Sequence, residues 1–96
     1  MIASFASKLA LDIYDGIESK KTRKIPSELH PKVRRLFDQL NSAHSVEFMR
    51  VPPGNRLEKL SGNLKGFWSV RVNDQWRVVF RWQGEEAHDV DIVDYH

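Results

Sequence analysis

Apolar positions in this 96-residue chain follow one period in the first half and another in the second. Val33, Leu36, Phe37 and Leu40 stand at i, i+3, i+4 and i+7, the spacing of a buried helical face. Lys32, Arg34, Arg35 and Asp38 fall off that stripe. Ser27 is the expected N-cap, and Pro31 sits early enough for the first turn. A shorter helix is expected ahead of it, capped by Ser4 or Ser7, running to about Asp15 and stopped by Gly16. Leu9, Ile13 and Ile17 would give it a narrow apolar stripe. Residues 1–5 read as a short strand, and residues 17–26, polar and basic, as a loop.

The second half alternates with the period of a strand. Residues 51–66 contain Pro52, Pro53, Gly54, Gly62 and Gly66 and read as loop, with a short strand around 56–60. Residues 67–73, 76–82 and 87–93 are strands by composition. A two-residue turn at Asp74 and Gln75 would mix arginines with large apolar groups on both faces of the hairpin. A three-residue turn of Asn73, Asp74 and Gln75 pairs Val72 with Trp76, Val70 with Val78 and Trp68 with Phe80. It gathers Phe67, Ser69, Arg71, Arg77, Val79 and Arg81 on the other face. Burying an unpaired guanidinium is expensive, so the three-residue turn is expected. Val90 and Ile92 would join the oily face; Asp91, Val93 and Tyr95 would join a cationic face open to solvent. The expected class is α+β, with two N-terminal helices packed on one face of a small, mostly antiparallel twisted sheet.

The length leaves room for one core, so residues 1–96 are expected to form one domain. With no cysteine, disulfides, thiol nucleophiles and Cys-based zinc sites are excluded. There is no HExxH, no phosphate-cradling glycine motif and no nucleophile elbow, and no cofactor or metal is expected. Asp12 and Asp15 interrupt the apolar start, so neither a signal peptide nor a membrane span is expected and the expected location is cytoplasmic.

The net charge is only +2, but its distribution is uneven. Lys20, Lys21, Arg23 and Lys24 form a basic run, followed by Lys32, Arg34 and Arg35. A second set comprises Arg56, Lys59, Lys65, Arg71, Arg77 and Arg81, while acids gather near the end at Glu85, Glu86, Asp89, Asp91 and Asp94. Local basic surface attracts phosphate whatever the total.

Arg71 and Arg77 would be cross-strand neighbours. Like charges so placed repel unless an anion lies between them, or unless Asp91 or Glu85 neutralises them. Asp94, Tyr95 and His96 put a carboxyl, a phenol and an imidazole together. RNA cleavage by the 2′-hydroxyl needs a base, an acid for the 5′-oxygen, and cations for the phosphorane. Imidazole suits either proton role near neutral pH, and a phenol can stack on a base. The bland alternative is a frayed end. Glu58 can act as general base and Lys59 can contact the RNA backbone, against the alternative of solvated surface. Trp68, Trp76 and Trp82 read as core, and His30, His44 and His88 as structural or surface residues.

The stretch PPGNRLEKLSGNLKGFWSVRVNDQWRVVF, with the ending VDYH, resembles the HigB (plasmid-maintenance killer) toxins of bacterial type II toxin–antitoxin systems, within the RelE/ParE superfamily. The resemblance spans the chain and is specific from 52 to 82 and at the end. It implies a RelE-like fold and a metal-independent, ribosome-dependent endoribonuclease that cuts mRNA in the decoding site. It also implies a HigA-like helix-turn-helix antitoxin, with operator DNA bound only by the toxin–antitoxin complex, and no membrane. By the resemblance Arg77 holds the scissile phosphate, and Tyr95 and His96, with Asp94 beside them, stand at the active site. Arg71, Glu58, Lys59 and Lys65 would line the RNA. Lys20, Lys21, Arg23, Lys24, Lys32, Arg34 and Arg35 would grip the ribosome. Some members carry a His and a Lys where this chain has Glu58 and Ser61. The alternative within the superfamily is a ParE-like, non-enzymatic inhibitor of DNA gyrase.

Overall fold

The computed structural model describes residues 1–95, and His96 lies outside the described residues. Two helices precede a four-stranded antiparallel sheet: α1 (Lys8–Asp15), α2 (His30–Ser42), β1 (Glu58–Lys59), β2 (Phe67–Arg71), β3 (Trp76–Gln83) and β4 (Glu86–Asp94), with strand order β1-β2-β3-β4.

Ser7, not Ser4, caps α1: its Oγ accepts from the Ala10 N–H at 3.1 Å and donates to Asp91 Oδ1 at 2.6 Å, tying the helix start to β4. Ser4 instead accepts from the Asp89 N–H at 2.9 Å. Gly16 ends the helix in the left-handed region at φ 72, where a side chain would be strained. The chain therefore leaves the helix before Ile17, which is exposed, and Ala10 joins Ile13 in the core in its place. Asp12 is buried at 2 % exposure, and accepts from Lys8 Nζ and, at 3.1 Å, from Ser19 Oγ.

α2 carries the expected stripe, with Val33, Leu36, Phe37 and Leu40 fully buried. Ser27 does not cap it. A 3₁₀ turn, Ser27–Leu29, leads in, and His30 Nε2–H is shared between the carbonyls of Thr22 at 3.0 Å and Ile25 at 2.9 Å. That bond fastens the basic loop to the helix start. Residues 1–5 form no strand. They make two parallel bridges to β4, Ile2 to Ala87 and Phe5 to Val90, on either side of Asp89, whose φ of 52 breaks the regular ladder.

The hairpin takes the three-residue turn. Trp68 pairs with Phe80, Val70 with Val78 and Arg71 with Arg77, while Val78 faces Ile92 on β4. Val70, Val72, Val78, Phe80, Val90 and Ile92 form one buried cluster with Ala10, Ile13 and the α2 stripe. Phe37 meets Phe5 edge-on with ring centroids 5.5 Å apart. Among the described residues no helix is long and apolar enough to cross a membrane.

Phe37→Ala is expected to lower the unfolding free energy by about 3–5 kcal/mol, measured by urea denaturation. Asp12 supplies a pH signature. The hydrogen bond from Lys8 is the main cause holding its carboxyl below the ordinary 3.8. A depressed carboxyl stabilises the fold above its unfolded value and loses that effect as pH falls through its folded value. Asp12→Asn should melt earlier than the natural chain at pH 6, with the gap closing progressively below about pH 3.8.

Candidate active site

The site is assembled by the hairpin turn. Asn73 Oδ1 accepts from the N–H groups of Gln75 at 2.9 Å and Trp76 at 2.8 Å, closing the turn with a side chain. Gln75 then holds the end of the chain. Its carbonyl accepts from the Tyr95 N–H at 2.6 Å, and its Nε2 donates to Asp94 Oδ2 at 3.1 Å. The tail is thereby laid beside β3, and the Tyr95 ring comes under Arg77, 5.0 Å from Cζ to centroid.

Arg77 is the unusual member. Its Nε and Nη1 are buried yet have no hydrogen-bond partner among the described residues. A cation over a phenol ring gains about 0.5–2 kcal/mol but does not satisfy N–H groups. Leaving buried donors unmet costs about 1–3 kcal/mol, more for charged groups. A bound anion is the natural remedy, since a guanidinium matches phosphate oxygens in a fork.

Arg71, opposite Arg77, pairs with the turn residue Asp74. Neither of the expected neutralisers takes that role: Asp91 accepts from Ser7, and Glu85 lies near His44. Asp74 is closer because the tight turn returns it over Arg71. The Arg71 hydrogen bond holds the Asp74 carboxyl below its usual range, with smaller pulls from Arg56 and Arg77. Lys32 is lowered first by partial burial, then by Arg71 and Arg35, so α2 brings cations within reach of the same place.

The cationic face is less open than expected. Ser69 and Val79 at its centre are buried, because short side chains lie between longer neighbours. Glu58 pairs with Ser69 and shares that face. Lys59 pairs with Trp68 and sits over its indole, 5.4 Å to the ring centre, on the opposite side. The pleat therefore separates Lys59 from Arg77. Lys65 borders a cleft of about 300 Å³ with Gly66, Arg81, Trp82, Gln83 and His88. Arg81 there is paired with Asp89 at 3.0 Å. Lys20, Lys21, Arg23 and Lys24 are exposed on the loop between the helices, Arg35 is exposed on α2, and Arg34 is half-buried. No ion pair among the described residues joins these to the sheet cluster. His96 lies outside the described residues.

Residues 3–96 match the model of a family described as the RelE-like toxin of the type II toxin–antitoxin system HigB. The chain belongs to the HigB toxins. It is 40 % identical over 82 residues to Toxin HigB-1 of Vibrio cholerae, covering 85 % of this chain and 84 % of that one. It is 34 % identical over 101 residues to Endoribonuclease HigB of Proteus vulgaris, covering 100 % of each. Among solved structures it superposes on a chain of the Staphylococcus aureus YoeB–YefM complex with TM-score 0.61 at 19 % identity, covering 100 % of this chain and 98 % of that one. A point mutant of YafQ from Escherichia coli gives TM-score 0.65 at 12 % identity, covering 98 % of this chain and 93 % of that one. These two likenesses show a shared α+β fold.

Within this HigB toxin, the sequence places Asn73 and Gln75 in the turn, but it does not show that Asn73 closes it with its side chain or that Gln75 holds the tail. An Asn three residues before a strand is a recognisable turn signal; the backbone clip from Gln75 to Tyr95 leaves none. Arg77→Met removes the unmet donors while keeping a long side chain. It should unfold in urea at equal or higher denaturant, a gain of about 1 kcal/mol, whereas a structural arginine would lose stability on that change.

Proposed function

We propose that this HigB toxin is an endoribonuclease that cuts translated mRNA on the ribosome and is neutralised by a cognate antitoxin. The buried Nε and Nη1 of Arg77, without a hydrogen-bond partner among the described residues and set over Tyr95, are the observation that carries the reading. The name of the Proteus vulgaris relative supports the RNase activity, and the YoeB–YefM complex supports an antitoxin partner. In this reading the RNA 2′-oxygen attacks the adjacent phosphorus and the 5′-oxygen leaves, giving a 2′,3′-cyclic phosphate and a 5′-hydroxyl. A base takes the 2′-hydroxyl proton and an acid returns one to the leaving oxygen. Arg77 neutralises the charge gathering on the phosphorane, with Arg71 beside it, and no metal takes part. Tyr95 and His96, with Asp94 beside them, align the nucleotide or carry protons, and Glu58 is the carboxylate candidate for the base. Much of the rate comes from holding the mRNA in line, which is why the ribosome is needed.

Lys20, Lys21, Arg23, Lys24, Lys32, Arg34 and Arg35 are assigned to ribosomal RNA, and operator DNA is bound only through the antitoxin complex. The same reading takes residues 1–96 as one toxin domain, with both helices layered on the apolar side of the sheet.

Arg77→Ala should lower the cleavage rate by about 100-fold or more, by analogy with deleting one transition-state donor. Primer extension on mRNA from induced cells reads this directly. Undiminished cutting by that variant, or loss of gyrase supercoiling with intact mRNA, would reject the reading.

A further inference from the structure

A third arginine stands near the two at the site. Glu58 is paired with Ser69 and Lys59 with Trp68. Arg56 stands two residues before β1, directly after the 3₁₀ turn Pro53–Asn55 that packs against β2, and Arg71 on β2 faces Arg77. Leu57 is buried, while its neighbours Arg56 and Glu58 are both exposed. Arg56, Arg71 and Arg77 all lower the carboxyl of one residue, Asp74. Only Arg71 is ion-paired to it; Arg56 has no carboxylate within ion-pair distance among the described residues.

The backbone at Arg56 is strained. It lies in the left-handed region at φ 48, ψ 58, which side chains other than glycine, asparagine and aspartate seldom adopt. The chain places glycine at four such positions, Gly16, Gly62, Gly66 and Gly84, yet arginine at this one. Gly54, two residues earlier, is not left-handed. The strain is held in place by Asn55, which is buried at 1 % exposure. Its Nδ2 faces the carbonyls of Met49 at 3.0 Å and Val51 at 3.2 Å, and Gln39 Oε1 at 3.2 Å. A strained conformation so firmly fixed is characteristic of a functional position.

We propose that Arg56 is an RNA-binding residue that grips the phosphodiester next to the one being cut, its fixed left-handed backbone presenting the exposed guanidinium beside Arg71 and Arg77. Because β2 lies between β1 and β3, the residue leading into β1 is two strand spacings, about 10 Å, from Arg77 on β3, so it meets a neighbouring phosphate and not the scissile one. This rests on the reading that Arg77 holds the scissile phosphate.

The test uses the full chain and a short single-stranded RNA with a 2′-deoxy substitution at the cut position. Binding is titrated against salt, beside mRNA cleavage on translating ribosomes. Arg56→Gln should weaken binding several-fold and reduce the slope of log affinity against log salt by about 0.7, the value for one phosphate contact on a single strand. On ribosomes it should raise KM and leave kcat nearly unchanged. Arg56→Gly should show the same binding loss and melt several degrees higher, because the strain is released. Arg56→Lys should restore the salt slope. If Arg56→Gln binds with the natural affinity and slope while Arg77→Ala fails to cut, Arg56 has no such role and the active-site reading stands. If Arg77→Ala cuts normally, the reading itself falls and this inference with it. An Arg56→Gly variant that melts no higher than the natural chain would overturn the claim of strain.

Discussion

The register of the β2–β3 hairpin is the constraint on which the other features depend. Side chains alternate with period two, so a slip of one residue would turn Arg71 and Arg77 into the core and Val70 and Val78 out to solvent. Two independent forces oppose that slip. The apolar cluster under the sheet needs Val70, Val72, Val78 and Phe80 on its own side. The Asn73 side chain closes a turn of the matching length by accepting two backbone N–H groups. Because the same turn carries Gln75, the register that builds the core also sets where the tail is clipped.

The site accordingly consists of groups that the fold leaves electrostatically unfinished. Arg71 has Asp74, and Arg81 has Asp89, while Arg77 has no ion pair among the described residues and lies over the face of a phenol ring. Two arginines directly opposite each other repel, and among the described residues one of them, Arg71, is ion-paired. Folding tolerates this because the hydrophobic cluster beneath is continuous from α2 to β4. The arrangement follows a general pattern in which locally unfavourable groups concentrate where a ligand completes them.

Much of this was legible in the sequence, and what was not has physical causes. The α2 stripe, the hairpin register and the placement of Val93 and Ile92 on opposite faces followed from periodicity and the cost of burying charge. The helix caps were less legible. Ser27 and Ser7 look alike in sequence, but only Ser7 has a tertiary partner, Asp91, to hold its hydroxyl. The isolated bridges of residues 1–5 depend on the left-handed Asp89, a backbone feature that no local propensity announces. At the site, Arg77 and Tyr95 could be named as a pair, but not their spacing, which arises from the Gln75 clip. Lys59 falls on the face away from Arg77, and the register of so short a strand cannot be read from two residues.

The parallel bridges from Ile2 to Ala87 and Phe5 to Val90 bear on when the molecule becomes whole during synthesis. The helix cap at Ser7 likewise waits for Asp91, a partner 84 residues further along. At a ribosome speed of about 5–20 residues per second, the opening segment emerges several seconds before the strand that receives it. The nascent chain must pass that interval with its first helix incompletely anchored. The clip that brings Tyr95 to Arg77 forms later still, once both Gln75 and Tyr95 have been made.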